Sequence, residues 1–174
     1  MPRCAAFLRG INLGRRRLSN DELRAHFEAL GFAGAEVFRA SGNVLFEAVD
    51  AGGEVERRLE EGLLARLGYA VPTFVRTGPE LEALAAFEGL PRTAGEVGKL
   101  QVELLRGAPT PAARDAVLAL ATADDRLAFG ERALFWLPAR GVGQSELPWG
   151  VIDRHLGPGT VRTMGTIEQM ARSL

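Results

Sequence analysis

Along the chain, short hydrophobic runs typical of strands take turns with segments in which hydrophobic residues have the spacing of one helix face. These patterns predict its secondary structure. A short apolar run over 3–9 predicts a strand. Ser19 and Glu22 then have the spacing of a capping box, which predicts the start of an amphipathic helix. The rest of the first half predicts strands near 35–40, 43–48 and 71–77, a helix ending at Gly68 and a short helix opened by Gly78 and Pro79. The predicted order of this half is therefore βαββαβ.

The same order is predicted again after residues 89–98, which carry three glycines and one proline and are typical of a linker. Thr166 and Gln169 repeat the capping-box spacing and predict the start of a terminal helix. The other predicted elements are strands over 99–106, 126–130, 133–138 and 159–163, a helix from Thr110 and Pro111 to about 121, and a helix from Pro148 to Gly157.

Two consecutive βαββαβ units have the ferredoxin-like, split βαβ order. The expected fold class is therefore α+β, a tandem duplication of ferredoxin-like units with a C-terminal helix. We expect a first half over 1–88 with a trailing helix, a linker over 89–98, and a second half over 99–174 that includes the C-terminal helix. The halves are expected to pack as one compact unit.

Composition narrows the class of protein. Of 174 residues, 47% are hydrophobic, and 21 basic side chains face 22 acidic ones, so the net charge is −1. Such a chain is neither disordered nor a membrane-spanning bundle, and its charge gives no general attraction to nucleic acid or to an anionic membrane. Cys4 is the only cysteine, so no intrachain disulfide is expected and a cytoplasmic location is predicted.

The spacing of the histidine, cysteine and acidic residues indicates neither a metal site nor a catalytic site. Two histidines, His26 and His155, and the single cysteine show no metal-ligand spacing, so neither a metal nor another cofactor is expected. The acidic pair Asp124–Asp125 is interpreted as a helix start or a solvated face. No catalytic constellation is visible, and the chain contains neither a phosphate loop nor a dinucleotide-binding glycine motif.

A basic segment near the N-terminus is the first candidate site. Arg9, Gly10, Asn12 and Gly14 precede three further arginines, and residues 1–24 hold six arginines against two carboxylates. Glycines beside arginines at the end of a strand allow backbone amides to approach an anion. The alternative interpretation is a solvated turn with surface charge.

Two other segments are candidates for the same chemistry. Ser41 and Asn43 flank a glycine at the predicted hairpin turn, where such residues also suit a purely structural role. Further along the chain, Arg140 and Arg162 offer guanidinium groups that fork onto a carboxylate or phosphate. Three more residues complete this candidate set: Gly141, Ser145 and Thr166. A simple surface loop explains the glycines of the third segment nearly as well.

Together these motifs resemble the domain of unknown function 1697 family. The segments that carry the resemblance are Leu8–Gly14, Ser41–Val44 with Phe46, Gly141–Ser145, and Thr160–Arg162 with Thr166. The resemblance covers nearly the whole chain and implies a duplicated ferredoxin-like fold, but no particular activity. The chain departs from the family pattern at Arg15–Arg17 and at Thr163–Gly165, where the family usually has Asn-Trp-Asn.

The leading functional prediction is binding of a small anionic or nucleotide-like ligand through the Gly, Arg and Asn loops. The alternative is an RNA-binding module whose open sheet face presents Phe7 and Phe46 to stacked bases. Nucleic acid is less favoured, because the pI is about 6.2 and aromatic residues make up only 7%. An enzyme using Arg9, Asn12, Ser41 and Ser145, and a protein that binds other proteins, are the remaining hypotheses.

Overall fold

The computed structural model describes residues 1–13, 16–39, 42–49 and 51–174. The strands are β1 (Arg3–Leu8), β2 (Glu36–Val37), β3 (Asn43–Glu47), β4 (Thr73–Thr77), β5 (Gln101–Leu104), β6 (Asp125–Phe129), β7 (Ala133–Pro138) and β8 (Thr160–Thr163). The helices are α1 (Asn20–Ala29), α2 (Gly53–Leu67), α3 (Gly78–Ala85), α4 (Pro111–Leu118), α5 (Trp149–Leu156) and α6 (Met164–Ala171), with a 3-10 turn at Val142–Gln144. The predicted mixed class of helices and strands is confirmed.

The chain divides into two compact units. Unit 1 comprises Met1–Ala83 and Gln169–Leu174, and unit 2 comprises Leu84–Glu168. The segment predicted as a linker belongs to unit 2, where Nη2 of Arg126 contacts both carboxylate oxygens of Glu96 at 2.7 and 2.8 Å. The last six residues, predicted with the second half, group with unit 1.

Each unit contains one four-stranded sheet in which every neighbouring pair of strands is antiparallel. The strand order is β2-β3-β1-β4 in unit 1 and β6-β7-β5-β8 in unit 2. Numbered within each unit, both orders are 2-3-1-4. The same element order and the same strand order thus occur twice, as expected of a duplicated unit.

Strand alternation determines which side chains of unit 1 share a face. Ala6 pairs with Val44 and Val75, and these three residues belong to the apolar core of this unit. Helix α1 contributes Phe27 to this core, where its ring centroid lies 5.4 Å from that of Phe46 in an edge-on arrangement. An aromatic cluster therefore joins α1 to the centre of the sheet.

The prediction that Phe7 and Phe46 share an open sheet face is wrong. Phe46 pairs with Cys4 and Phe7 pairs with Asn43, so the two rings lie on opposite faces of the sheet. Both side chains are fully buried. Neither ring is available to stack on a base, which removes the structural basis of the RNA-binding alternative.

The start of α6 differs from its prediction. The helix begins at Met164, so Thr166 lies within its first turn and the predicted Thr166–Gln169 capping box is wrong. The hydroxyl of Thr163, the last residue of β8, instead accepts a hydrogen bond from the N–H of Thr166 at 3.3 Å. Strand and helix adjoin directly, and the capping threonine is Thr163, three residues before the predicted one.

The capping box predicted for α1 is confirmed. The Ser19 hydroxyl accepts from the N–H of Glu22 at 3.2 Å, and the Glu22 carboxylate accepts from the N–H of Ser19 at 2.8 Å. Hydrogen bonds from the Ser19 backbone N–H, and secondarily from its hydroxyl, lower the pKa of Glu22. This interaction stabilises the fold above the usual pKa of a glutamate and is lost as the pH falls through the lowered value.

Replacing Ser19 by alanine is expected to lower the free energy of unfolding by about 1 kcal/mol, as for other N-cap residues. The same change is expected to raise the pKa of Glu22 toward its ordinary value, because the hydroxyl no longer donates to the carboxylate. Denaturant unfolding and an NMR titration of the Glu22 carboxyl measure the two effects. An unchanged Glu22 pKa in the variant would contradict the assignment.

Strand β4 is an edge strand whose outward backbone groups are capped by glutamates. The N–H groups of Thr73, Val75 and Thr77 donate to the carboxylates of Glu60, Glu56 and Glu80, respectively, each at 2.8 Å. Two of these glutamates are one turn apart on α2 and the third is on α3. Every second N–H of the strand is thereby satisfied, and this edge is closed to pairing with another strand.

Candidate functional site

Three connecting segments meet at one end of the unit 1 sheet. The N–H of Leu8 donates to the carbonyl of Gly42 at 2.7 Å, which joins the end of β1 to the turn between β2 and β3. The N–H of Arg9 donates to the carbonyl of Pro72 at 2.8 Å, which joins it to the segment before β4. We call this region, with the loop after β1, the basic end of unit 1.

The loop after β1 is anchored on both sides. Gly10 has a φ of +70°, and the hydroxyl of Tyr69 donates to the carbonyl of Ile11 at 3.3 Å. The side-chain oxygen of Asn12 accepts from the N–H of Leu18 at 2.9 Å and closes the loop before α1. The predicted candidate Asn12 therefore shapes this loop through its carbonyl oxygen.

The turn between β2 and β3 packs directly on this loop. Gly42 has a φ of +73°, and a Cβ atom there would lie 2.9 Å from Cγ2 of Ile11 and 3.0 Å from the carbonyl oxygen of Leu8. Only glycine combines this backbone conformation with so close an approach. The sequence had indicated glycine for the hairpin turn, and its second role, contact with the neighbouring loop, is visible only in the structure.

Four exposed arginines lie on these segments: Arg9, Arg16, Arg17 and Arg39. Among the residues that the structure describes, no carboxylate lies within ion-pair distance of any of them. The guanidinium of Arg16 lies over the ring of Tyr69, 4.0 Å from its centroid. The segments of the basic end therefore carry four positive charges, whereas the chain as a whole is nearly neutral.

Backbone donors add to this charge. Within the described part of the chain, the N–H groups of Gly10, Ile11 and Asn12 have no intramolecular acceptor. Successive unpaired N–H groups in a turn form a concave, electropositive site of the kind that binds anions in other proteins. Amides and guanidinium groups are thus presented at the same end of the sheet.

The remaining predicted residues of unit 1 divide into two groups. Gly14 and Ser41 lie outside the described residues. Asn43 lies within β3 and is fully buried, and its side-chain amide donates to the carbonyl of Phe38 at 3.4 Å. The position of Asn43 indicates a structural role in holding the hairpin rather than direct contact with a ligand.

The other predicted residues lie in unit 2, where Arg140 borders a cleft of about 470 Å³. The lining residues are Leu120, Thr122, Asp124, Asp125, Arg140, Gln144, Glu146 and Leu147. The cleft is therefore lined by three carboxylates and one guanidinium. Nη1 of Arg140 lies 3.6 Å from the carboxylate of Asp124. This balance of charge disfavours an anion, so Arg140 is poorly placed for the role predicted for it.

Asp125 differs most from its prediction as part of a helix start or a solvated face. It opens β6, is buried, and accepts a hydrogen bond from the indole N–H of Trp136 at 2.8 Å. The cleft residues come from two separate connections, around 120–125 and 140–147, which sequence spacing could not bring together. Only the pairing of β6 with β7 makes them neighbours.

Gly141 and Ser145 shape the connection that follows β7. Gly141 has a φ of +95°, and the hydroxyl of Ser145 accepts from the N–H of Leu147 at 3.3 Å. The hydroxyl of Thr166 is bonded to that of Thr163 at 3.0 Å. All three residues thus make local contacts that form turns or helix starts.

Arg162 lies on β8, and its Nη1 donates to the hydroxyl of Thr160 at 2.8 Å and to the carbonyl of Val161 at 2.9 Å. Burial lowers the pKa of Arg162 to about 10. Strand β5 lies between β7 and β8, so Arg162 is two strands away from the connection that carries Arg140. The structure therefore does not bring these two arginines together as a pair.

Comparison with known proteins identifies the family. The model of the family described as "Protein of unknown function (DUF1697)" matches residues 1–135. The chain belongs to this family. The match confirms the resemblance seen in the sequence motifs, and it includes the whole basic end of unit 1. No curated protein matches the chain.

The fold of this DUF1697 protein is similar to a solved one, the structure of conserved bacterial protein SP0830 from Streptococcus pneumoniae. The two share 23% sequence identity with a TM-score of 0.74, over 100% of this chain and 98% of that chain. At this identity the similarity establishes the fold alone.

Two further findings concern the described residues. They contain no group of three or more His, Cys, Asp or Glu side chains that could hold a metal ion. None of their helices combines the length and the apolar character needed to span a bilayer.

Proposed function

We propose that this DUF1697 protein binds a small anionic ligand, of the phosphate or carboxylate class, at the basic end of unit 1. The observation that carries the proposal is the coincidence of four exposed arginines, none paired with a described carboxylate, with three backbone N–H groups in one loop that have no acceptor among the described residues. Guanidinium and amide donors favour planar or tetrahedral oxyanions, to which they form charge-assisted hydrogen bonds.

The anchoring of the loop supports this proposal. Binding is favoured when donors are already held in place, because less conformational entropy is lost on association. The contacts of Ile11 with Tyr69 and Gly42 fix the backbone beside the unpaired amides. Stacking on Tyr69 similarly restricts Arg16, and an arginine held on an aromatic ring keeps its donor edge free.

The repeated strand order supports the finer fold assignment within the same proposal. A split βαβ arrangement, with the first and third strands central and the order 2-3-1-4, is that of a ferredoxin-like unit. We infer this topology for both units. The basic end of unit 1 is then the end of the sheet at which the first strand finishes and the third begins.

Arg9→Ala is expected to weaken the binding of inorganic phosphate or pyrophosphate by about tenfold or more, since a hydrogen bond to a charged group contributes roughly 1.5–3 kcal/mol. Isothermal titration at low ionic strength measures the effect, because exposed charges are screened by salt. Acetate, titrated in parallel, distinguishes the carboxylate class from the phosphate class.

Arg140→Ala is the matched control, since it removes the same charge from an exposed position in unit 2 beside carboxylates. Its phosphate affinity is expected to equal that of the wild-type protein. Equal losses in the two variants would show that binding depends only on net charge, and no loss in Arg9→Ala would contradict the proposed site.

A further inference from the structure

We infer that Gln169 of α6 competes with the anion for Arg39, because its side-chain oxygen already accepts a hydrogen bond from the Arg39 guanidinium. This inference rests on the proposed function and concerns the regulation of the same site. Nη2 of Arg39 donates to Oε1 of Gln169, and both residues belong to unit 1. The C-terminal segment thereby reaches one of the four arginines of the basic end.

The backbone at Arg39 is unusual. Its φ is +59°, and it is the only non-glycine residue with a positive φ among the residues described. An arginine in this region of conformational space is disfavoured and persists where surrounding contacts hold it. The bond to Gln169 is such a contact, and it directs the side chain of a strained turn residue toward the C-terminal helix.

The position of Gln169 is itself fixed by contacts within unit 1. The Ser173 hydroxyl donates to the backbone carbonyl of Gln169 at 3.0 Å. Nη1 of Arg3, on β1, donates to the backbone carbonyl of Ser173 at 3.1 Å. The end of α6 is thus joined to the first strand of the sheet. These contacts hold the backbone of Gln169 in the position from which its side-chain amide reaches Arg39.

Because Gln169 is neutral, an anion can displace it from Arg39. An amide oxygen satisfies one donor of the guanidinium but leaves its positive charge uncompensated. The guanidinium is a charged donor in either case, but a phosphate oxygen also carries negative charge and so adds ion-pair attraction that the amide lacks; it therefore competes favourably with the amide for Arg39. By linkage, whatever releases Gln169 raises the affinity for the anion, and anion binding loosens Gln169 to the same extent.

Two substitutions of Gln169 test the inference by phosphate titration. Gln169→Ala removes the competing acceptor and is expected to tighten phosphate binding about two- to tenfold, because the anion no longer has to displace one exposed hydrogen bond. Gln169→Glu converts the contact to an ion pair and is expected to weaken binding about tenfold. Gln144→Ala and Gln144→Glu make the same changes at an exposed glutamine in unit 2 and are expected to leave the affinity unchanged.

The outcomes separate this inference from the proposed function. If wild-type protein binds phosphate and Arg9→Ala abolishes binding, but the Gln169 variants match the wild type, the competitor role is wrong and the anion site stands. If Gln169→Ala weakens binding, Gln169 supports Arg39 instead of competing for it, and the inference is also overturned. If wild-type protein binds no phosphate, both fail. Circular dichroism of each variant verifies that it is folded.

Discussion

Gly98→Ala is expected to destabilise the protein more than the same change at any other described glycine, and the effect lies in unit 2. A Cβ atom at Gly98 would lie 1.5 Å from the carbonyl oxygen of Pro138, and that oxygen belongs to the backbone at the end of β7. We expect the free energy of unfolding to fall by about 3 kcal/mol, at the upper end of overpacking costs. The corresponding loss in Tm is roughly 6–12 °C for a chain of this size.

The neighbouring hydrogen bonds explain why the chain cannot simply move aside. The N–H groups of Val97 and Gly98 both donate to the carbonyl of Ala139, at 3.0 and 3.2 Å. A shift that relieves the clash also lengthens these bonds. Gly107→Ala is the matched control, because no atom lies within 4 Å of a Cβ there and its φ is not positive. Equal melting temperatures for the two variants would contradict this packing.

Glu56→Ala is expected to lower the free energy of unfolding by about 2–3 kcal/mol, because removal of a buried acceptor leaves its donor unsatisfied. Glu56 is 3% exposed and accepts from the N–H of Val75 at 2.8 Å at the centre of edge strand β4. Urea unfolding measures the loss. Glu56→Gln retains the accepting oxygen and is the control, with a smaller expected loss.

The same glutamates are expected to prevent association through β4. When Glu56 and Glu60 are both replaced by alanine, two outward N–H groups of the strand lose their acceptors and become available to another chain. Size-exclusion chromatography of the double variant is expected to show concentration-dependent oligomers beyond those of the wild type. An unchanged elution profile would show that β4 is protected in another way.

The order of elements was predictable because local signals set it. The reciprocal bonds of Ser19 and Glu22 involve residues three apart, and Gly68 ends α2 in the left-handed conformation that favours glycine. The start of α6 was mispredicted because Thr163 and Thr166 are both candidate caps, and the strand β8, paired with β5, ends at the first of them. The local pattern alone did not distinguish between these two threonines.

The candidate site was predicted in part. Arg9 and Gly10 were identified because glycine and arginine adjoin the end of a strand, and this signal is local. Tyr69 was missed, since it is an ordinary loop residue until the fold brings it to the loop after β1. Arg39 was missed because it lies in the turn between β2 and β3, which only the sheet joins to the end of β1. A positive φ at a non-glycine residue has no reliable signature in sequence, so the contact of Arg39 with Gln169 was not foreseen.

The charge around Arg140 in unit 2 could not be predicted from the sequence for a related reason. In the sequence, Arg140 was interpreted as a guanidinium that, with Arg162, forks onto a carboxylate or phosphate. The pairing of β6 with β7 places Asp125 opposite Pro138, which brings the acidic connection before β6 beside Arg140. The charge of a site depends on all the segments that fold together there, and spacing along one segment does not reveal it.

The measurement that tests the central claim most directly is a titration of ¹⁵N-labelled protein with inorganic phosphate, followed by two-dimensional NMR. Binding at the basic end of unit 1 predicts saturable shifts in the amide signals of Gly10, Ile11 and Asn12, together with the side-chain signal of Arg16. The signals of Gly141 and Ser145 in unit 2 are expected to stay in place. Shifts confined to unit 2, or none in the loop after β1 at saturating phosphate, would contradict the proposed site.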